Sequence, residues 1–137
     1  GRGQSDSAYI ARVQAIQLYH SDFLEASDQD WANTLRHGLR QEMVNMLGAE
    51  ADYLLQLEQL AEAEALYLRM LAFDALDERA HRGVMLCRAK RSDQAGALRQ
   101  FRECVRILRE ELQAEPSSAT QALYRAINGG QRLPAFA

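Results

Sequence analysis

The chain has 137 residues, of which 47% are apolar and 26% charged, enough for one domain with a modest core and too apolar for a disordered segment. No apolar run approaches the roughly 18 residues that a membrane span requires, and the opening "GRGQSDSAY" lacks the apolar centre of a secretion signal, so a cytoplasmic protein is expected. A net charge of −3 argues against a self-sufficient nucleic-acid binder, which needs a concentrated basic surface to neutralise phosphates.

In chain order the elements read as helices. The first is expected near Ser7 to His20, with Ile10, Val13 and Ile16 on successive turns before "SDF" breaks the pattern. A second should begin at about Asp28 and run as far as Leu57, because Leu35, Leu39, Met43, Met46, Leu47, Ala51 and Leu54 recur at steps of three and four. Gly38 and Gly48 weaken it by up to about 1 kcal/mol each and allow a kink or break near Gly48.

A third helix is expected over Gln59 to Phe73, with Leu60, Ala63, Leu66, Tyr67, Met70 and Leu71 as its apolar stripe. Asp77 can accept the free N–H groups that open a fourth, to about Lys90. Ser92 or Asp93 would cap a fifth, to about Gln113, and Ser117 or Ser118 a sixth, with Pro116 just outside it. The residues after Asn128, "GGQRLPAFA", read as a helix stop and a flexible exit over 129–137. The few β-branched residues never alternate with polar ones, so a sheet has little to be built from.

A shift of 34 residues superposes Ala63 on Ala97, Tyr67 on Phe101, Leu71 on Val105 and Phe73 on Ile107. Thirty-four is the tetratricopeptide period. The expected fold is therefore all-α: a tetratricopeptide-like, right-handed stack of antiparallel helix pairs with about six helices, repeats near 41–74 and 75–108, and a capping C-terminal helix. Residues 1–128 would form this single domain. Neither pair can bury its apolar face alone, so stacking stabilises both.

Two surface features are candidates for function. In "LYHSDFLEASDQDW", Leu18 to Trp31, the turn places Phe23 and Leu24 to plug the following helix pair, while Ser27 or Asp28 caps the long helix. Trp31, in its first turn, either covers a neighbouring helix end or anchors a partner. The second feature follows from an asymmetry: residues 1–78 hold 14 acids and 5 bases, residues 79–137 hold 5 acids and 11 bases. Within the basic half Arg99, Arg102, Arg106 and Arg109 step by three, four and three, which puts all four within about 80° of one helix face. Arg82 adds charge from the preceding helix. Guanidinium forks suit carboxylate and phosphate oxygens. Glu103 stands four residues from Arg99 and three from Arg106, and Glu110 four from Arg106, so a solvated, salt-bridged face is the competing reading.

Chemistry is poorly represented. Cys87 and Cys104 lack metal-ligand spacing and sit among apolar helix positions, His20, His37 and His81 lie one per helix or turn, and the single lysine, Lys90, is in no phosphate loop. No catalytic residue, metal or cofactor is expected.

The segments "LYHSDFLEASDQDWANTLRHGLRQEM", "AEALYLRMLAFDALDERAHRGVM" and "AGALRQFRECVRILREELQAEPSSATQALYRAI" resemble the bacterial transcriptional activator domain, the tetratricopeptide-like region of antibiotic-regulatory-protein-type regulators. The resemblance covers about Ile16 to Ile127 and departs where Ala75 replaces a usual proline and Gln113-Ala114 a common Gly-Val. It implies a non-catalytic regulatory domain that follows a winged-helix DNA-binding domain and transmits a signal or mediates self-association, as a homodimer or against the transcription machinery. DNA would be touched only indirectly, and no membrane is involved. The winged helix is not in this sequence, which implies a regulatory fragment or a relative with a different partner domain. Two alternatives are a scaffold that binds a peptide in an unrelated assembly and a sensor of a small anion or nucleotide that uses the arginine stripe.

Overall fold

The computed structural model describes residues 28–137, and all its regular structure is helical. Five helices follow one another: α1 (Asp28–Gln56), α2 (Leu60–Phe73), α3 (Glu78–Lys90), α4 (Gln94–Leu112) and α5 (Ser118–Asn128). The expected helix near Ser7 to His20, and Phe23 with it, lie outside the described residues. The chain groups into two compact units, residues 1–46 and residues 47–137.

α1 carries Asp28 and Asp30 in its first turn, where negative charge complements the positive end of the helix dipole. It runs unbroken through both Gly38 and Gly48, so the break that Gly48 allows does not occur. Three later helices start at side-chain caps. Asp77 accepts from Ala80 N–H, Asp93 from Gly96 N–H and Ser117 from Thr120 N–H. Each satisfies a backbone donor that a helix start leaves unpaired. α2 has no such cap: Gln59 makes no side-chain bond at its start.

The second unit, residues 47–137, holds the core that matters for the candidate site. Within it α2 packs on α3, α3 on α4, and α5 on both α3 and α4, the neighbour-to-neighbour order of a tetratricopeptide-like stack. The equivalent small residues Ala63 and Ala97 are both completely buried, as the repeat requires. Their aromatic companions diverge. Tyr67 is completely buried, whereas Phe101 is only half-buried and stacks on Tyr124 of α5. The α1 stripe is also displaced: Val44, Leu47, Ala51 and Leu55 are its buried members.

Buried polar groups are satisfied in chains. Tyr67 Oη donates to Asp52 Oδ1 at 2.5 Å, and Arg79 pairs with the other oxygen of that carboxylate. His81, 1% exposed, lies between Ala75 carbonyl and Gln100 Nε2, each at 2.8 Å. A carbonyl only accepts, so Nε2 of His81 carries the hydrogen and Nδ1 accepts from Gln100. Gln100 is held in that orientation because its Oε1 accepts from Arg88, which also reaches Glu64. His81 is thus a core residue with both ring nitrogens used.

α5 is held on the stack by Glu78, whose Oε1 accepts from Ser117 N–H at 2.8 Å and from Thr120 Oγ1 at 2.7 Å. Burial raises the Glu78 pKa, but these bonds and the nearby Arg82 charge outweigh it and leave the carboxyl below the ordinary glutamate range. Arg82 itself donates to Thr120 Oγ1 at 3.0 Å, and Gln94 Nε2 ties the far end of α5 through Ile127 carbonyl.

Candidate functional site

The arginine stripe can be located from the helix that carries it. α4 is strongly amphipathic in sequence: Ala97, Gln100, Cys104 and Leu108 are buried, and the stripe of Arg99, Arg102, Arg106 and Arg109 stands exposed beside them. Between the two faces, Phe101 and Val105 are only half covered. α5 repeats the arrangement, with Thr120, Leu123 and Ile127 buried and Gln121, Tyr124 and Arg125 turned along its side. α4 and α5 therefore enclose an open groove of about 810 Å³.

Its floor is apolar. Phe101 and Tyr124 stack with ring centroids 4.2 Å apart and planes 14° from parallel, an offset-stacked contact of the kind aromatic pairs favour, and Val105 continues the floor along α4. Its sides are charged: Arg102, Arg106 and Arg109 from α4, Arg125 from α5, and two acids, Glu110 and Glu115. Pro116 and Gln121 complete it, with Gln121 Nε2 bonded to Pro116 carbonyl at 2.8 Å.

These charges are not equivalent. Arg106 bonds Glu103 and Glu110, at 2.5 and 2.8 Å. Arg109 grips both oxygens of Glu115, at 2.8 and 3.0 Å. The hydrogen bonds, then the charges, of these partners raise both arginine pKa values further and lower those of Glu103 and Glu115. The salt-bridged reading of the sequence thus describes Arg106, while Arg109 is paired through Glu115, which the helix spacing did not supply. Arg102 and Arg125 differ: among the described residues neither side chain has a carboxylate partner, and the same is true of Arg99.

The other candidates lie elsewhere. Arg99 shares the helix but does not line the groove. Arg82 is half-buried on α3 and occupied by Thr120. Trp31 belongs to the unit of residues 1–46 and is half-buried, and Phe23 is outside the described residues. Conversely, Tyr124, Arg125 and Glu115 belong to the groove although nothing singled them out in the sequence. The available signal was the spacing of Gln121, Tyr124 and Arg125, three and four apart on one helical face.

Among the described residues, no three or more His, Cys, Asp or Glu side chains gather as metal ligands, and no helix is long and apolar enough to cross a membrane. The two thiols are buried in the α3–α4 core. Burial, followed by the negative charges of Glu64 and Glu78 respectively, pushes Cys87 up to about 12 and Cys104 up to about 11. Thiols so protonated are poor nucleophiles.

The family model described as bacterial transcriptional activator domain matches residues 2–128. No curated protein and no solved structure matches the chain. Because the family match spans every helix from α1 to α5 and the groove between the last two, the chain belongs to the bacterial transcriptional activator domain family and is a domain of transcriptional regulators.

Proposed function

We propose that this is a non-catalytic protein-contact domain, which carries a regulatory signal or joins regulator copies while another domain binds DNA. It would act in the cytoplasm, where promoters are. The observation that supports this best is the α4–α5 groove, an open apolar floor of Phe101, Val105 and Tyr124 beside Arg102 and Arg125, which have no carboxylate partner among the described residues. Half-covered aromatics next to arginine are the composition of protein-interface centres. The rest of the stack is its scaffold: α5 is fixed to α3 through Glu78 and Thr120, so the groove has a defined width without any partner.

The test is photo-crosslinking in the bacterium that carries the regulator. A benzophenone amino acid replaces Gln121, inside the groove, and in a second strain Glu111, an exposed α4 residue outside its lining. The expected outcome is an adduct specific to Gln121 that contains either a component of the transcription machinery or a second copy of this chain. Equal adducts from both positions, or none to protein from Gln121, would count against the groove as a contact surface.

A further inference from the structure

We infer that the α4–α5 groove takes an acidic protein segment bearing an apolar side chain, whose carboxylates reach Arg102 and Arg125 while that side chain rests on the Phe101–Tyr124 floor. This builds on the protein-contact reading above and adds the chemistry of the occupant.

Four arginines and two glutamates line the groove, a surplus of positive charge. The surplus sits on Arg102 and Arg125, one on each wall, because Arg106 and Arg109 are already held by Glu103, Glu110 and Glu115. A ligand that runs between the helices would therefore meet, on either side, a guanidinium with no carboxylate partner among the described residues, and an apolar strip between them. Guanidinium forks bind carboxylates with two parallel hydrogen bonds. The groove displays that geometry with its own residues: Glu115 approaches Arg109 with both oxygens.

The same acids speak against nucleic acid. Glu103, Glu110 and Glu115 stand around the groove where a phosphate backbone would pass, and each would repel it. A protein segment can place its few carboxylates at Arg102 and Arg125 and lay apolar groups elsewhere, which a uniformly charged backbone cannot do. At about 810 Å³ the groove has room for several side chains of such a segment.

Glu115 then has a second role, as a resident competitor. It occupies an arginine that an incoming carboxylate could use, so its removal should strengthen binding. A residue that merely supported the fold would act in the opposite direction.

The whole chain is titrated, by fluorescence anisotropy, into a short labelled peptide of Asp and Glu around a single Phe. Saturable binding that weakens with salt is expected. Arg102→Gln/Arg125→Gln should weaken it by about tenfold or more, with an unchanged helical circular dichroism spectrum because both side chains are exposed. Glu115→Gln should tighten it by about threefold. Replacing the peptide's Phe by Ser, or its acids by Asn and Gln, should each weaken it.

Four outcomes overturn the inference: no binding, equal binding of the uncharged peptide, weaker binding to Glu115→Gln, or a DNA duplex that binds more tightly through the same two arginines. If the peptides fail while Gln121 still crosslinks to an identified protein, the acidic occupant is wrong and the protein-contact reading stands. If the peptides bind and that crosslink is absent, the groove's chemistry stands and its proposed role fails.

Discussion

A Cβ added to Gly83 would lie 2.4 Å from Cδ1 of Tyr67, inside any tolerable contact. The ring cannot step aside, because Tyr67 is completely buried and its hydroxyl is fixed by Asp52, itself paired with Arg79. Burial first, then the bond and charge of Asp52, drive the phenol pKa far above its ordinary range, so it donates a stable hydrogen bond and does not ionise in the folded chain. Gly83→Ala should therefore destabilise the domain by about 2 kcal/mol, the cost of overpacking exceeding the helix propensity that alanine restores. Gly38 is the contrast: among the described residues a Cβ there meets nothing within 4 Å, so Gly38→Ala should gain about 0.5–1 kcal/mol. Urea unfolding of the two variants checks both signs. Glycines that look alike in the sequence thus differ because only one lies under an aromatic ring, a fact set by packing between helices.

At the scale of elements, the docking of α5 depends on one carboxylate. The Glu78 pKa is depressed in the folded state, so its contribution is fully present above the unfolded value of about 4.3 and is lost as pH falls through the lower folded value. Glu78→Gln should cost about 1 kcal/mol at pH 7, through weakened charge-assisted bonds to Ser117 and Thr120, and almost nothing at a pH below the depressed folded pKa, where the native glutamic acid is also neutral. Urea midpoints of both proteins at the two pH values test this; a difference that persists unchanged at low pH would remove the assignment. Helix starts were legible because Asp77, Asp93 and Ser117 have one dominant use before an apolar run. Helix ends fell within a residue of expectation, but the way they close was not legible. Glu58, Ser92 and Gln113 take left-handed conformations, with φ of 61°, 66° and 52°, to close α1, α3 and α4. The usual glycine is absent at each, and only Gly130, φ 67°, carries the expected residue type. The sequence departure at Gln113-Ala114 thus falls on a residue that holds a left-handed turn without glycine's freedom.

For the molecule as a whole, part of the charge asymmetry of the sequence is consumed inside the second unit. Acids from the first half meet bases from the second: Asp52 with Arg79, Glu64 with Arg88 and Arg91, Glu58 with Lys90. What survives among the described residues as positive charge without a carboxylate partner on α4 and α5 is a subset that no count of residues could pick out, because pairing depends on which helices become neighbours. The stripe was visible from its spacing; the groove was not, since its second wall comes from α5 and its floor from a stacking contact between helices. Cooperativity of this unit has an internal reporter. Cys87 on α3 and Cys104 on α4 are completely buried, and their raised pKa values keep the thiolate scarce even where reagent could enter. Both lie in the core that α3 and α4 share, with Tyr67 of α2 and Thr120 of α5 buried in the same unit, so neither should open without the other. Under native conditions the two should label with iodoacetamide at one slow rate, and denaturant should raise both rates with the slope of global unfolding. Rapid labelling of Cys104 alone would show instead that α4 and the groove it builds open while α2 and α3 stay packed, and the groove would then be a surface that a partner helps to complete.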